Sequence, residues 1–421
     1  MKKNLNVAFI KFSVANFGCF RERVDFHMST RKDAQNNFNL KKTEDYLLKS
    51  TIIYGPNASG KSTLLRAMKF VDLKIRKSTN TEVTEKLKAS PFLMEEGFEK
   101  KPSFFEIIFS INEKIYRYNF SIFADNTIDK ENFFDLSGTT EKVLFSREKQ
   151  SIEVDSNFIN DEALKDRTSK SYLFLSVVSQ WNEEVDEKIV YFFKKGFSVI
   201  NGDSLARHIP STAETAIKNN DFKEKVIDYL RRADFCITDF EIKKEKIPEE
   251  LKQLLKKNKS IEISDPFIRT VLFSHLKYNK KKEVLNTVKL LPDDESDGTL
   301  HFFGGLYPII NALTNGTILI IDELNKHLHP NLCKFIVNLF HSKETNPYNA
   351  QLIFTTHDVT LLAEKDIDRD QFWFTQRDKY GVASLFSLAE FKERKGSDFQ
   401  TRYLSGRYGA LPFINNSFSE Q

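Results

Sequence analysis

The chain of 421 residues is long enough for two or three domains of ordinary size, and its 40% apolar and 29% charged content allows both a sizeable core and a wet surface. Lys and Arg exceed Asp and Glu by 63 to 59, and the resulting net charge of +4 is too weak to indicate nucleic acid by itself. Cys19, Cys236 and Cys333 are odd in number and far apart, which fits a reducing compartment and gives no zinc or redox signature. Lys11, Asn16 and Arg21 interrupt any N-terminal apolar run and no stretch is long and apolar enough to span a bilayer, so a cytoplasmic protein with no membrane partner is expected.

In chain order, residues 5–14 and 23–28 read as two short strands around the turn Asn16-Phe17-Gly18-Cys19-Phe20. Residues 51–54 form a short apolar strand, followed by a Gly-rich turn. Helical spacing then runs over 62–77, with Leu64, Leu65, Met68, Val71 and Leu73 apolar. Residues 78–102 are polar and read as loop. Strands at 104–111 and 115–123 make a hairpin across Asn112-Glu113-Lys114. Shorter strands follow near 131–136 and 142–147. The pattern is helical from 161 to 196, and 221–233 is an amphipathic helix. Residues 243–260, dense in Lys and Glu around Pro248, are the expected tip or linker. After strands at 267–276 and 283–291 the chain reads as α/β. Helices are expected at 299–314, 330–342 and 359–364, with strands at 317–321, 351–355, 371–376 and 383–388. There is no internal repeat and no sustained heptad pattern.

Three pieces carry chemistry. Gly55-Pro56-Asn57-Ala58-Ser59-Gly60-Lys61-Ser62, followed by Thr63, fits the phosphate-loop pattern G-x-x-x-x-G-K-[ST]. Its glycines let backbone N–H groups turn toward a β-phosphate. Lys61 supplies charge to the β/γ-phosphates, and Ser62 offers a hydroxyl to Mg²⁺. The run 317–321 is a buried-type strand ending in Asp322 and Glu323. Asp322 would hold Mg²⁺, and Glu323 would polarise the attacking water as general base. Apolar residues up to the strand end place both carboxylates at the C-terminal edge of the sheet, where open α/β sheets bind ligands. After the next strand, Thr356 is followed by His357, whose imidazole can hydrogen-bond a γ-phosphate and the attacking water.

This order of phosphate loop, long insertion, acidic strand and Thr-His resembles the ABC ATPases, in particular the SMC/RecF-like branch. The resemblance implies a Ser-Gly signature that reaches across a dimer to the partner's ATP. Glu295-Ser296-Asp297-Gly298-Thr299 stands in that place, with Ser296 and Gly298 matching and Asp297 in place of the first glycine. A plain helix cap is the other reading of this segment.

A closer resemblance is to the AbiL/RloA-like abortive-infection ATPases, relatives of the OLD proteins. It rests on Asn16-Phe17 before Phe20, on Tyr54 leading into Gly55–Ser62, and on Tyr116-Arg117-Tyr118. Further on it rests on Glu295 to Thr299, on Asp322-Glu323-Leu324-Asn325 with Leu328-His329-Pro330, and on Gly406-Arg407-Tyr408-Gly409-Ala410-Leu411-Pro412. The resemblance implies that Asn325 and the following residues line a dimer seam. Lys326-His327 stands there where such proteins more often carry a small residue. Gln180, after an apolar run, would be the glutamine that touches Mg²⁺; a solvent-facing glutamine is the other reading.

The expected fold is therefore an α/β P-loop ATPase head of ABC/SMC type with an antiparallel β-lobe and a mainly helical insertion. The head would comprise 1–154 and 283–421, and the insertion 155–282. The expected ligands are ATP and Mg²⁺, with heads that close as a homodimer or higher homo-oligomer. The resemblance implies an anti-phage role with a toxic partner, such as a nuclease encoded nearby. A RecF-like DNA-binding repair ATPase and a non-hydrolysing assembly platform are the alternatives. The stretch after His357 is too short for an OLD nuclease domain, and the insertion has neither long coiled coils nor a Cys-x-x-Cys hook. The lysine runs 256–257 with 259, and 280–282, read either as phosphate contacts or as solvated faces, which leaves nucleic acid open.

Overall fold

Alternating and continuous apolar runs build two kinds of sheet in this chain. The computed structural model describes residues 6–30, 37–39, 46–80, 86–182, 185–247, 267–393 and 397–412. In chain order they form β1 (Val7–Ala15), β2 (Val24–His27), β3 (Ser29–Thr30), β4 (Asn37–Asn39), β5 (Tyr46–Leu48), β6 (Ser50–Tyr54) and α1 (Lys61–Lys77). Next come β7 (Ser103–Ile111), β8 (Lys114–Ile122), β9 (Ile128–Asp135), β10 (Lys142–Glu148), β11 (Ser151–Val154), α2 (Phe174–Trp181) and β12 (Phe197–Asn201). They continue with α3 (Ile209–Lys218), α4 (Asn220–Arg232), β13 (Ile237–Lys246), β14 (Phe267–Tyr278), β15 (Val284–Leu290) and α5 (Asp297–Asn315). The last are β16 (Ile318–Asp322), α6 (Pro330–His341), β17 (Gln351–Thr355), β18 (Phe372–Arg377), β19 (Ala383–Ser387) and α7 (Phe399–Leu404). Two units divide them: Met1–Asn201 with Ala312–Asn325 and Ile336–Gln421, and Gly202–Asn311 with Lys326–Phe335.

Unit one holds an antiparallel lobe of order β11-β10-β9-β8-β7-β1-β2. Its central hairpin turns on Asn112 and Glu113, both with positive φ (49° and 67°), as a two-residue turn compatible with strand twist requires. The second sheet, β12-β16-β17-β6-β18-β19, is parallel except for its last pair. β6 and β17 are buried at every position, the pattern of strands covered on both faces. α1 packs its apolar stripe against the lobe, where the Phe70 ring lies 5.0 Å from Phe105. A buried carboxylate ties α2 to the lobe. Glu131 accepts the N–H groups of Phe174 (2.7 Å) and Leu175 (3.0 Å) and the Tyr118 hydroxyl (2.8 Å). Arg147, equally buried, lies 3.4 Å away and donates to the carbonyls of Tyr172 and Ser169.

Unit two gathers α3, α4, most of α5 and the antiparallel sheet β13-β14-β15. The Phe303 ring meets Phe240 and Phe273 edge-on at 4.9 and 5.0 Å. Pro308 inside α5 removes the N–H that would bond the Gly304 carbonyl, and the buried Thr212 hydroxyl lies within reach of it at 3.3 Å, sharing its one hydrogen among that carbonyl and those of Phe303 (3.2 Å) and His208 (3.1 Å).

The expected partition needs correction. Residues 155–201 belong to unit one rather than to an insertion, because Phe197–Asn201 is a strand pairing parallel with β16. Unit two also takes in 283–311 and 326–335, and it is as much a β-sheet as a helical insertion. Within 161–196, the turns at Asp186–Val190 and Phe192–Gly196 are π-type rather than α-helical. Most of the expected tip (248–260), with Lys256, Lys257 and Lys259, lies outside the described residues.

Candidate functional site

β6 ends at Tyr54, and the chain must reverse sharply to enter α1. It does so through positive φ at Gly55 (151°), Ala58 (60°) and Gly60 (123°). A Cβ at Gly55 would lie 2.4 Å from the Thr375 carbonyl oxygen. One at Gly60 would lie 3.2 Å from Cys19 Sγ, the Phe20 ring and Ala383. Both positions therefore admit only glycine. Ser59 is held from below by the Thr375 hydroxyl at 2.5 Å. Neither an acidic residue in its first turn nor a side-chain cap closes the N-terminus of α1, so its N–H groups and dipole are available to an anion. Lys61 curls over the loop and donates to the carbonyls of Gly55 (2.7 Å) and Pro56 (3.0 Å). Burial lowers its pKa, while the charges of Asp322 and Glu323 work in the opposite direction.

Opposite the loop, β16 delivers Asp322 and Glu323. Glu323 has φ 56°, a left-handed conformation that costs a non-glycine residue energy. A hydroxyl from the neighbouring strand holds it there. Thr355 accepts the Glu323 N–H at 2.7 Å and donates to Asp322 Oδ1 at 2.7 Å, while its carbonyl accepts the Leu324 N–H at 3.1 Å. Two residues on, the His357 N–H donates to Asn325 Oδ1 at 3.4 Å. Partial burial, and then the positive charge of Lys61, lower the His357 pKa and keep its imidazole neutral near pH 7.

Between these elements lies a cleft of about 370 Å³ lined by the loop residues, Lys61, Ser62, Glu323 and His357. The residues present fit Mg–ATP. They offer the N–H groups of a loop whose glycine turns a side chain would break, the Lys61 ammonium, and hard oxygen donors at Ser62 and Asp322 of the kind Mg²⁺ prefers. Sequence reasoning missed Thr355, whose bonds join strands about 30 residues apart, and also Arg66, Met94 and Arg377 at the cleft rim. The carboxamide of Asn16 fixes the rim. It accepts the Phe92 N–H (2.9 Å) and donates to the carbonyls of Phe98 and Lys101 (3.0 and 2.9 Å). The Arg21–Glu95 pair (2.6 Å) adds a second tie beside Met94.

Gln180 is not brought to this site. Its amide donates to the Thr79 hydroxyl, just beyond the C-terminal end of α1. Ser62 lies at the other end of that helix, about 25 Å away along its axis. Leu173, Phe174, Leu175, Val177 and Val178 are buried, and the Ser176 hydroxyl donates to the Ile75 carbonyl (2.6 Å), which docks α2 on the far half of α1.

In unit two, Ser296 caps α5 by accepting the Thr299 N–H at 3.1 Å. A Cβ on Gly298 would come within 3.0 Å of the His327 carbonyl oxygen. The Lys326-His327 pair has partners within the unit. Lys326 Nζ meets Asp203 at 2.5 Å, and His327 stacks on His301 at 4.2 Å between Asp203 and Asp297 (3.7 and 3.9 Å). Among the described residues no helix is long and apolar enough to cross a membrane.

Among solved structures the chain is similar to the SMC head domain from Thermotoga maritima (12% identity, TM-score 0.41, covering 90% of this chain and 98% of that one). It is also similar to an SMC head bound to the C-winged helix domain of ScpA (12% identity, TM-score 0.46, 90% and 97%). No curated protein matches it. A family model described as "AAA domain, putative AbiEii toxin, Type IV TA system" matches residues 50–363, a span that includes the phosphate loop, the acidic strand end and His357. The chain has a P-loop ATPase fold and belongs to that family.

Proposed function

We propose that this chain binds Mg–ATP on Gly55–Ser62 and hydrolyses it, and that two copies close on the nucleotide. The observation that carries the reading is the clasp of Thr355 on Glu323, which stores backbone strain at the one carboxylate a water-activating base requires. Ser62 and Asp322 would hold Mg²⁺, whose charge offsets that building up on the phosphates. Lys61 neutralises phosphate oxygens, and Glu323 orients water and takes its proton. Neutral His357 donates or accepts a hydrogen bond without adding charge. Asn325, bonded to the His357 backbone, keeps the seam segment in step with that histidine. Ser296 and Gly298 of a second copy would complete the site from across the dimer.

The family description, with its toxin of a type IV toxin–antitoxin system, supports a defence role. In this reading the closed head is a nucleotide-gated sensor or scaffold that controls a toxic partner in the cytoplasm. ATP turnover and oligomeric state of wild type, Lys61→Ala and Glu323→Gln test it. Wild type should turn over and gain association from ATP, Glu323→Gln should gain that association without turnover, and Lys61→Ala should neither turn over nor change its association with ATP. Turnover stimulated by DNA would move the reading to a repair ATPase. Wild-type turnover no faster than that of Glu323→Gln would leave an ATP-bound platform.

A further inference from the structure

Unit two leaves one strand edge open. In the order β13-β14-β15, the outer side of β15 pairs with no strand among the described residues. Residues 281–289 are all exposed, so neither face of β15 is covered. Yet its side chains are of the strand-forming kind. Val284 is 57% exposed, Leu285 59%, Val288 40%, and Leu291 just beyond it 49%. Single exposed apolar residues are ordinary, but four along one proline-free edge make a template for another strand. Natural edges are usually blunted by charge along the strand. Here most of the charge sits at the two ends and differs in sign. The turn before β15 carries Lys280, Lys281 and Lys282, and the segment after it carries Asp293 and Asp294, all exposed.

We propose that this edge is an interface with a second copy of the chain, β15 pairing antiparallel with itself about Thr287. That register sets Val284 against Leu290 and Asn286 against Val288, and it brings the turn of Lys280, Lys281 and Lys282 in each copy to the end where the other copy carries the turn of Asp293 and Asp294. Each pair occurs twice, as a two-fold axis demands. Opposite charges at opposite ends are what antiparallel self-pairing needs, whereas a parallel mate would place lysines beside lysines. A nucleic acid would use the lysines but would leave the aspartates and the apolar edge without a role. The interface needs no nucleotide and is independent of head closure.

Sedimentation velocity of the full chain without nucleotide, over a micromolar concentration range, tests the interface. Wild type and Lys61→Ala should both dimerise. The pair Lys280→Glu with Lys281→Glu should weaken the dimer roughly 10-fold, as should Asp293→Lys with Asp294→Lys. All four substitutions together should restore it, which a fold defect would not do. A nucleotide-free monomer, a dimer indifferent to both reversals, or reversals that fail to rescue each other would overturn the interface. So would a monomer that binds a DNA duplex through the three lysines. If Lys61→Ala keeps this dimer but wild type gains nothing from ATP, head closure fails and the β15 interface stands.

Discussion

Replacing Thr355 by Val keeps the shape of a fully buried side chain and removes only the hydroxyl that bonds Glu323 N–H and Asp322 Oδ1. A hydrogen bond to a charged group plus the satisfaction of a buried N–H is worth about 2–4 kcal/mol together. The left-handed backbone at Glu323 costs about 1–2 kcal/mol against that clasp. With the hydroxyl gone the strain is unopposed, and the positioned carboxylate becomes the minor conformer by a factor of about 5–30. Steady-state ATP turnover at saturating nucleotide should therefore fall about 10-fold in Thr355→Val, with nucleotide affinity little changed. Thr355→Ser, which keeps the hydroxyl, should stay near wild type. If Thr355→Val turns over within two-fold of wild type while Glu323→Gln is inactive, the clasp has no part in positioning the base, and the argument from strain is wrong.

Glu323→Gly should abolish turnover and yet raise the thermal midpoint slightly, because glycine relieves a strain of about 1 kcal/mol; a lowered midpoint would contradict the left-handed assignment. Burial drives the His341 pKa down to about 4, with Ser50 Oγ at 2.7 Å and Gln371 Nε2 at 3.2 Å from its Nε2. Its folded pKa lies below its unfolded value of about 6.5, so its contribution is complete above pH ~6.5 and is lost as pH falls through about 4, by about 3 kcal/mol in all. Denaturant midpoints from pH 7 to 4.5 should show this loss, and His341→Gln should flatten it. Glu131→Ala leaves Arg147 buried without its carboxylate and should cost about 3–5 kcal/mol by denaturant titration. Turnover should fall as pH is lowered through the His357 pKa, which burial and then the charge of Lys61 hold below the ordinary imidazole value, because the imidazole then becomes a cation beside Lys61; a profile with no acid limb would remove the imidazole from the reaction.

The legible parts of the site were those whose residues are neighbours in sequence. Gly55 to Ser62, Asp322-Glu323 and Thr356-His357 each sit on a strand end that apolar pattern alone locates. Thr355 was in plain view but its role was not, since its partners belong to another strand and its register with β16 is a tertiary fact. Gln180 failed for the converse reason. Distance along the chain from Lys61 says nothing about which end of α1 a later helix docks on. β12 was hidden because it is only five residues long, with Phe197, Val199 and Ile200 apolar between Ser198 and Asn201, and it follows a helical run with only Gly196 to mark the break. The unit boundary was missed because the chain leaves unit one and returns twice, and no composition shift marks Asn325 to Lys326 or Phe335 to Ile336.

The strand order carries a consequence for synthesis. β6, which holds the phosphate loop, has β17 on one side and β18 on the other, and both neighbours lie late in the chain. On a ribosome adding 5–20 residues per second, the roughly 300 residues between β6 and β17 take about 15–60 s to appear. Throughout that time a strand that is buried at every position in the fold has neither lateral partner, and the parallel sheet cannot begin to zip from its centre. The antiparallel lobe is complete once residue 154 is made, and among the described residues it is the first large sheet whose strands have all been synthesised. The nascent chain should thus pass through a lobe-first intermediate with an exposed β6, and chaperone demand should peak between synthesis of β11 and of β17.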